Sequence, residues 1–306
     1  MPVHRPAVRH FLAGPALVPE DLTMVLLVHE DNDQEPRPMP TVALRDIPKA
    51  VRQASDSGIR SVKLFAGSRM RDDRAAQSMS PHSLMARSVE AVKNEAPEVA
   101  VITETCVCSH TTTGECYLTD HHGVDIAATG EVLATQAVTQ AGAGADIVGP
   151  AAMIPGTIRA VRTALDESGH RDVSIMPHLI FDSALYEGYR TTMSAAPASG
   201  ARAFQIAPRR TDEAVRTGLA MVSEGADMIL LEPALFTVDT LMRLREECPV
   251  PLMPFSVSGE YAALAPANAD GTRDVRPLVE AFTMLRRAGA DRVISYGAVE
   301  IARRLQ

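Results

Sequence analysis

The sequence predicts an α/β protein folded as a (β/α)8 TIM barrel with a short N-terminal arm. Three observations point there. Short apolar runs alternate with helix-like stretches along all 306 residues, the pattern of repeated βαβ units. A small motif, Gly144-Ala145-Asp146, returns as Gly225-Ala226-Asp227 and Gly289-Ala290-Asp291, each time between a helix-like stretch and an apolar run. Glycine there can adopt the left-handed conformation that ends a helix. Finally, no Gly-x-Gly-x-x-Gly fingerprint follows the first apolar run, which makes an open doubly wound sheet the second choice.

In chain order, residues 1–20 are polar and proline-containing and read as the arm; residues 21–306 read as the barrel domain. Strands are expected at 22–28, 61–66, 99–105, 146–150, 173–179, 227–231, 252–257 and 291–296. Helices are expected at 47–57, 80–96, 130–143, 157–168, 211–224, 238–247 and 275–288. Residues 191–203 are small and flexible in composition and follow the fifth strand, where they read as a lid. Barrel chemistry sits at the C-terminal ends of the strands, where such loops emerge.

Composition narrows the function classes. With 46% apolar and 22% charged residues, the chain is an ordinary globular one. No apolar run reaches the roughly 20 residues that span a bilayer, and the N-terminus lacks a signal-peptide pattern, so a cytoplasmic protein without a membrane partner is expected. A net charge of −8 disfavours a nucleic-acid partner. Lys49, Lys63 and Lys93 are the only lysines among 30 basic residues, so no Schiff-base amine exists after residue 93.

Cys106, Cys108 and Cys116 crowd together at the end of the third strand, on the face where a barrel does chemistry. In a cytosolic chain a metal or catalytic site is a better reading than a disulfide. Three thiolates with no fourth cysteine nearby suit Zn2+ with one open coordination position. Cys248 lies far off and reads as a buried small residue; His110, His121 or His122 is a candidate fourth ligand.

On these residues the chain resembles the zinc-type porphobilinogen synthase (5-aminolevulinate dehydratase) family. Met39-Pro-Thr-Val, Leu64-Phe65, the Cys-x-Cys-x7-Cys loop and Gly144-Ala-Asp-Ile-Val-Gly-Pro150 carry the resemblance. So do Ser183-Ala-Leu-Tyr186 leading to Arg190, Val257-Ser-Gly-Glu-Tyr261, and Arg287-Ala-Gly-Ala-Asp291 leading to Tyr296. It implies a barrel with an N-terminal arm, assembled as a homo-oligomer between dimer and octamer. It implies zinc on Cys106, Cys108 and Cys116. Arg190, Arg202 and Gln205 would bind one substrate carboxylate, and Ser258 and Tyr296 the other.

The departures from that pattern are chemical. The family's two Schiff-base lysines fall on Ile180 and Glu232 here, its strand-four carboxylates are lost in Ala151-Ala-Met-Ile-Pro-Gly156, and Glu104 replaces its aspartate ahead of the cysteines. Thr113 and Glu115 stand where it has loop histidines. The chain therefore reads as a divergent paralogue: a zinc-dependent lyase or condensing enzyme for keto- or amino-carboxylic acids, without a lysine imine, in a specialised biosynthetic pathway. Glu232, with His178 and Asp182, would move protons; otherwise Glu232 merely pairs with an arginine. Lys63 is a candidate relocated amine. The alternatives are a non-catalytic ligand-binding or regulatory paralogue, and residual porphobilinogen synthase activity.

Overall fold

The computed structural model describes residues 5–306 apart from 12, 13, 15, 34, 68 and 198–201. Part of the expected arm and part of the expected lid thus lie outside the described residues. The barrel strands are β1 (Leu22–His29), β2 (Ser61–Ala66), β3 (Ala100–Thr105), β4 (Ile147–Pro150), β5 (His178–Ile180), β6 (Ile229–Glu232), β7 (Leu252–Ser256) and β8 (Val293–Ser295). Every pairing is parallel: β1 to β4 and β5 to β8 pair in sequence order, and β8 returns to β1.

The fifth strand, expected as one run over 173–179, is two pieces. Ser174–Ile175 pairs with β4, and His178–Ile180 pairs with β6. Pro177 lies between them and has no N–H to give a ladder. The Met176 N–H still reaches Val148 O, and the Leu230 N–H reaches Pro177 O, so the ring of strands closes across the break.

The helices between strands are α1 (Ile47–Asp56), α2 (Leu84–Glu95), α3 (Ile126–Gly142), α4 (Thr157–Glu167), α5 (Thr211–Ser223), α6 (Val238–Glu247) and α7 (Arg276–Arg287). α2 starts later than expected because Ser83 caps it, accepting from the Ala86 N–H. α3 starts earlier because Asp125 caps it through the Ala128 N–H. The periodicity did not reveal the hairpin Leu118–Asp120/Gly123–Asp125, or the short helices Glu187–Thr192 and Ser258–Leu264.

The Gly-Ala-Asp repeat has a second purpose beyond ending helices. Its glycines have φ of +104°, +110° and +113°. Its aspartates each accept a backbone N–H from the neighbouring strand: Asp146 from Val101, Asp227 from Ile175, Asp291 from Leu252. Each also faces a cation from the helix before that neighbour: Lys93, Arg162 and Arg245. One short motif therefore stops a helix and fixes strand register at the base of the barrel, the end opposite the site.

Candidate active site

A pocket opens at the C-terminal ends of the strands. Strand alternation points Phe65, Glu104, His178, Ile180, Glu232 and Phe255 into it. The cysteine loop after β3 and the segment after β5 form its wall, adding Cys108, Cys116, Tyr189, Arg190, Arg202 and Gln205.

The three thiols come together as the sequence predicts. The Sγ atoms of Cys106, Cys108 and Cys116 all lie within 4.8 Å of one another, and Cys106 and Cys108 are 3.4 Å apart. Tetrahedral zinc with bonds of about 2.3 Å sets sulfurs roughly 3.7 Å apart, so the donor set fits such an ion. Hydrogen bonds from Cys106 and Cys108 hold the Cys116 thiol well below its ordinary range, with the Arg202 cation adding to the effect. Its bonds to Cys108 and then to Cys116 push the Cys106 thiol up. Among the described residues, the three cysteines are the one group placed to share an ion, and no histidine joins them. His110 is buried nearby, with burial holding it near 4; His121 and His122 are exposed on the hairpin.

α3 braces this loop from behind. The Gln136 side-chain amide donates to Cys106 O and that of Gln140 to Glu104 O, while Gln140 Oε1 accepts from Thr103 and Thr105. Arg71 reaches over from the β2 loop to the carbonyls of Cys108, Thr111, Met193 and Ser194. These bracing residues were not legible as such in the sequence, because their partners are backbone carbonyls far along the chain.

His178 and Glu232 meet across β5 and β6, with Nδ1 to Oε1 at 2.8 Å. Both are buried. Burial raises the Glu232 carboxyl to about 8, against the pull of Lys63, Arg202 and Arg190. Burial, and then the Lys63 cation, hold His178 well below its usual range. Glu104 is likewise raised to about 8 by burial, and accepts from the Tyr189 hydroxyl at 3.0 Å. Asp182, the third expected proton-moving residue, is exposed and does not line the pocket. It follows the inward-facing Ile180 by two residues, but β5 has ended, and its N–H turns to pair with Ile206 O.

The carboxylate-binding candidates divide in the same way. Arg190, Arg202, Gln205 and Tyr296 line the pocket. Ser258 does not: its hydroxyl donates to Leu185 O and accepts the Tyr189 N–H, which occupies it in holding two loops together. Arg202 donates to Cys116 Sγ and to Ala195 O, so in this arrangement it serves the cysteine loop. Arg190 Nη2, Gln205 Oε1, Tyr296 Oη and His178 Nε2 are buried without a hydrogen-bond partner.

Lys63 is fully buried on β2. Its Nζ contacts Thr103 O at 3.3 Å and lies 5.0 Å from the Phe65 ring centre. Burial lowers its pKa to about 8, opposed by the nearby Glu104 and Glu232 carboxyls. It lies beneath the pocket rather than on its wall.

A parallel barrel with a three-cysteine cluster able to hold a metal, beside a cation-lined pocket at its C-terminal face, has the layout of a (β/α)8 enzyme. Comparison with known proteins makes this specific. The delta-aminolevulinic acid dehydratase family model matches residues 2–304. The delta-aminolevulinic acid dehydratase of Escherichia coli is 34% identical over 97% of this chain and 94% of that protein. The enzyme of the same name from Methanothermobacter thermautotrophicus is 34% identical over 97% and 93%. The crystal structure of the Toxoplasma gondii ME49 enzyme in complex with porphobilinogen superposes with a TM-score of 0.90 at 30% identity, covering 98% of this chain and 91% of that one. The chain belongs to the delta-aminolevulinic acid dehydratase family, a family of lyases. No helix among the described residues is long and apolar enough to cross a membrane.

Proposed function

We propose that the protein is a zinc-dependent lyase of the dehydratase or condensing type, acting on a keto- or amino-carboxylic acid without an imine on the fifth or sixth strand. One observation carries this reading: four buried polar atoms, on Arg190, Gln205, Tyr296 and His178, face a single pocket with no partner in the protein. Buried polar groups are nearly always hydrogen-bonded, so these four are the ligand's partners. A guanidinium and a phenol hydroxyl suit a carboxylate. Glu232 and His178 suit the transfer of a proton to or from the bound acid. Zinc on Cys106, Cys108 and Cys116 would supply Lewis acidity toward a carbonyl or hydroxyl. The apolar Phe65, Ile180 and Phe255 wall keeps water from the reacting end.

Ile180 and Glu232 sit opposite each other in register. Neither side chain forms an imine, and the resemblance places the family's lysines there. A second reading, dehydration of 5-aminolevulinate as the relatives' names state, is favoured by Lys63, a buried amine held near 8. Both readings are tested together. Zinc-loaded protein is assayed with 5-aminolevulinate and a panel of keto and amino acids, then treated with borohydride. Metal-dependent turnover without a covalent adduct supports the first reading. An adduct on Lys63 establishes the second, and turnover that survives removal of the metal overturns both.

The same reading extends to organisation: an arm over residues 1–20, a barrel over 21–306, a homo-oligomer between dimer and octamer, and a cytoplasmic location. The helix Pro6–Phe11 ahead of β1 supports the arm.

A further inference from the structure

We propose that Arg71 is a positioning residue that clasps the carboxylate-binding segment to the cysteine loop, so that a metal on the cysteines and a carboxylic acid in the pocket strengthen each other's binding through it. The inference rests on the reading of the site above and extends it to a residue that touches neither ligand.

Arg71 follows β2 and does not line the active-site pocket. Its guanidinium spans two segments that are far apart in the chain. Nη1 bonds to the carbonyls of Cys108 and Thr111, each at 3.4 Å, and to Ser194 O at 2.7 Å; Nη2 bonds to Met193 O at 2.9 Å. A planar fork of fixed donors can serve both segments at once, whereas an ammonium is a single point on a flexible stem.

The cysteine loop is the anchored end. Beside Arg71, the Asp72 N–H donates to His110 O at 3.2 Å, and the Thr112 hydroxyl donates to Asp73 at 2.6 Å. The base of Arg71 is thereby tied to the loop that carries Cys106, Cys108 and Cys116. The segment after β5 is the held end. Met193 and Ser194 close the short helix Glu187–Thr192: the Met193 N–H donates to Tyr189 O, and the Ala195 N–H donates to Arg190 O. Ala195 O in turn accepts from Arg202. A grip on Met193 and Ser194 therefore fixes the turn from which Arg190 and Arg202 are both set.

Two backbone features show how closely the segments are joined. Ser194 has φ of +51°, in the left-handed region that serine seldom adopts. Such a conformation persists where surrounding contacts hold it, and the bond from Arg71 to its carbonyl is the shortest of the four. Gly114 of the cysteine loop has φ of +69°, and a Cβ there would stand 2.2 Å from Ala196 O. The two backbones meet directly at that point. A ligand that orders one segment thus orders the other, and by linkage the effect is equal in both directions.

The test is binding rather than turnover, on the full-length protein. Affinity for valeric acid is measured by ligand-observed NMR with and without zinc, and zinc affinity by competition with a chromophoric chelator with and without the acid. Valeric acid offers the clamp a carboxylate and offers a metal no ketone or amine, so a zinc effect on it is carried by the protein. In the wild type, zinc should tighten valeric acid by about fivefold or more, and the acid should tighten zinc by the same factor. In Arg71→Met both effects should fall below about twofold. Arg71→Lys keeps the charge without the fork and should lose the coupling too; it decides the case should Arg71→Met not fold. Coupling of wild-type size in a folded Arg71 variant overturns the clasp, and so does a wild type whose affinity for the acid ignores zinc. A wild type that binds no valeric acid, with zinc or without it, defeats the reading of the pocket and the clasp with it.

Discussion

Replacing Glu232 with glutamine isolates the consequence of burying a carboxyl at the barrel mouth. Glutamine keeps the shape and a hydrogen-bonding partner for His178 Nδ1 but cannot ionise. Glu232 is raised from an ordinary value of 4.5 to about 8, with desolvation the largest cause. A raised carboxyl contributes stability in its protonated form: the contribution is whole below about 4.5 and is lost as pH climbs through about 8. Every tenfold change in a proton's affinity for the carboxylate is worth about 1.4 kcal/mol. The ionised side chain therefore costs the folded state roughly 3–6 kcal/mol at pH 9, relative to acid conditions. In Glu232→Gln that cost is absent. The assay is urea denaturation of both proteins from pH 5 to pH 9, taking the difference in unfolding free energy at each pH so that distant titrating groups cancel. The glutamine variant should gain on the wild type steadily across this window. A flat difference would mean that Glu232 ionises freely in the fold, and the reasoning about its proton chemistry would fail with it. The same variant should lower turnover while leaving carboxylic-acid binding nearly unchanged.

Other expectations follow from the same geometry. Chelation, or Cys116→Ala, should remove bound zinc and abolish turnover while circular dichroism stays that of the intact barrel; metal content at wild-type levels in the variant would contradict the ligand set. Arg190→Ala should weaken carboxylic-acid binding by roughly 10- to 150-fold, about 1.5–3 kcal/mol for a charge-assisted bond, which calorimetry with levulinic acid reads directly; unchanged affinity would refute the clamp. Tyr296→Phe removes a hydroxyl that has no partner within the protein, so it should weaken the same ligand and leave unliganded stability within about 0.5 kcal/mol; a marked loss of stability would mean the hydroxyl has a structural partner. Gly149→Ala should destabilise by about 1–3 kcal/mol, because its Cβ would press on Thr103 O at 2.7 Å; a neutral effect in thermal denaturation would show that this point is less crowded than the structure has it.

Much of the fold was readable because the barrel is written in local signals. Apolar runs, helix-ending glycines and caps each act within a few residues, and β2 and α6 fall where the periodicity puts them. The break in the fifth strand at Pro177 was legible in principle, since a proline in an apolar run argues against an uninterrupted ladder. The cysteine cluster was legible because spacing alone brings three thiols onto one loop. Lys63 was harder. A lysine in an apolar run looks the same in sequence whether it snorkels to solvent or points inward, and only the register of β2 with β1 and β3 decides. Asp182 and Ser258 lie off the pocket for the opposite reason. Their neighbours in sequence do reach the pocket, but a strand end and a loop contact turned these two side chains elsewhere.

The buried charges of the barrel mouth make sense only as a set. A glutamate at position 232 alone would be an isolated carboxyl in a dry site, several kcal/mol too costly to ionise. A lysine at position 63 alone would be an isolated buried cation with the same defect. Together they oppose each other's desolvation, as the mutual effects on their pKa values record. The imidazole of His178 and the bare Cα of Gly149 give them a shared boundary without a direct ion pair. Leaving Glu232 without Lys63 should therefore hurt more than removing both. Lys63→Met and Glu232→Gln combined should unfold at a higher urea concentration than Lys63→Met alone at pH 9, where the lone carboxylate is most expensive. Strict additivity of the two substitutions would show that the charges do not sense one another, and each would then need its own explanation.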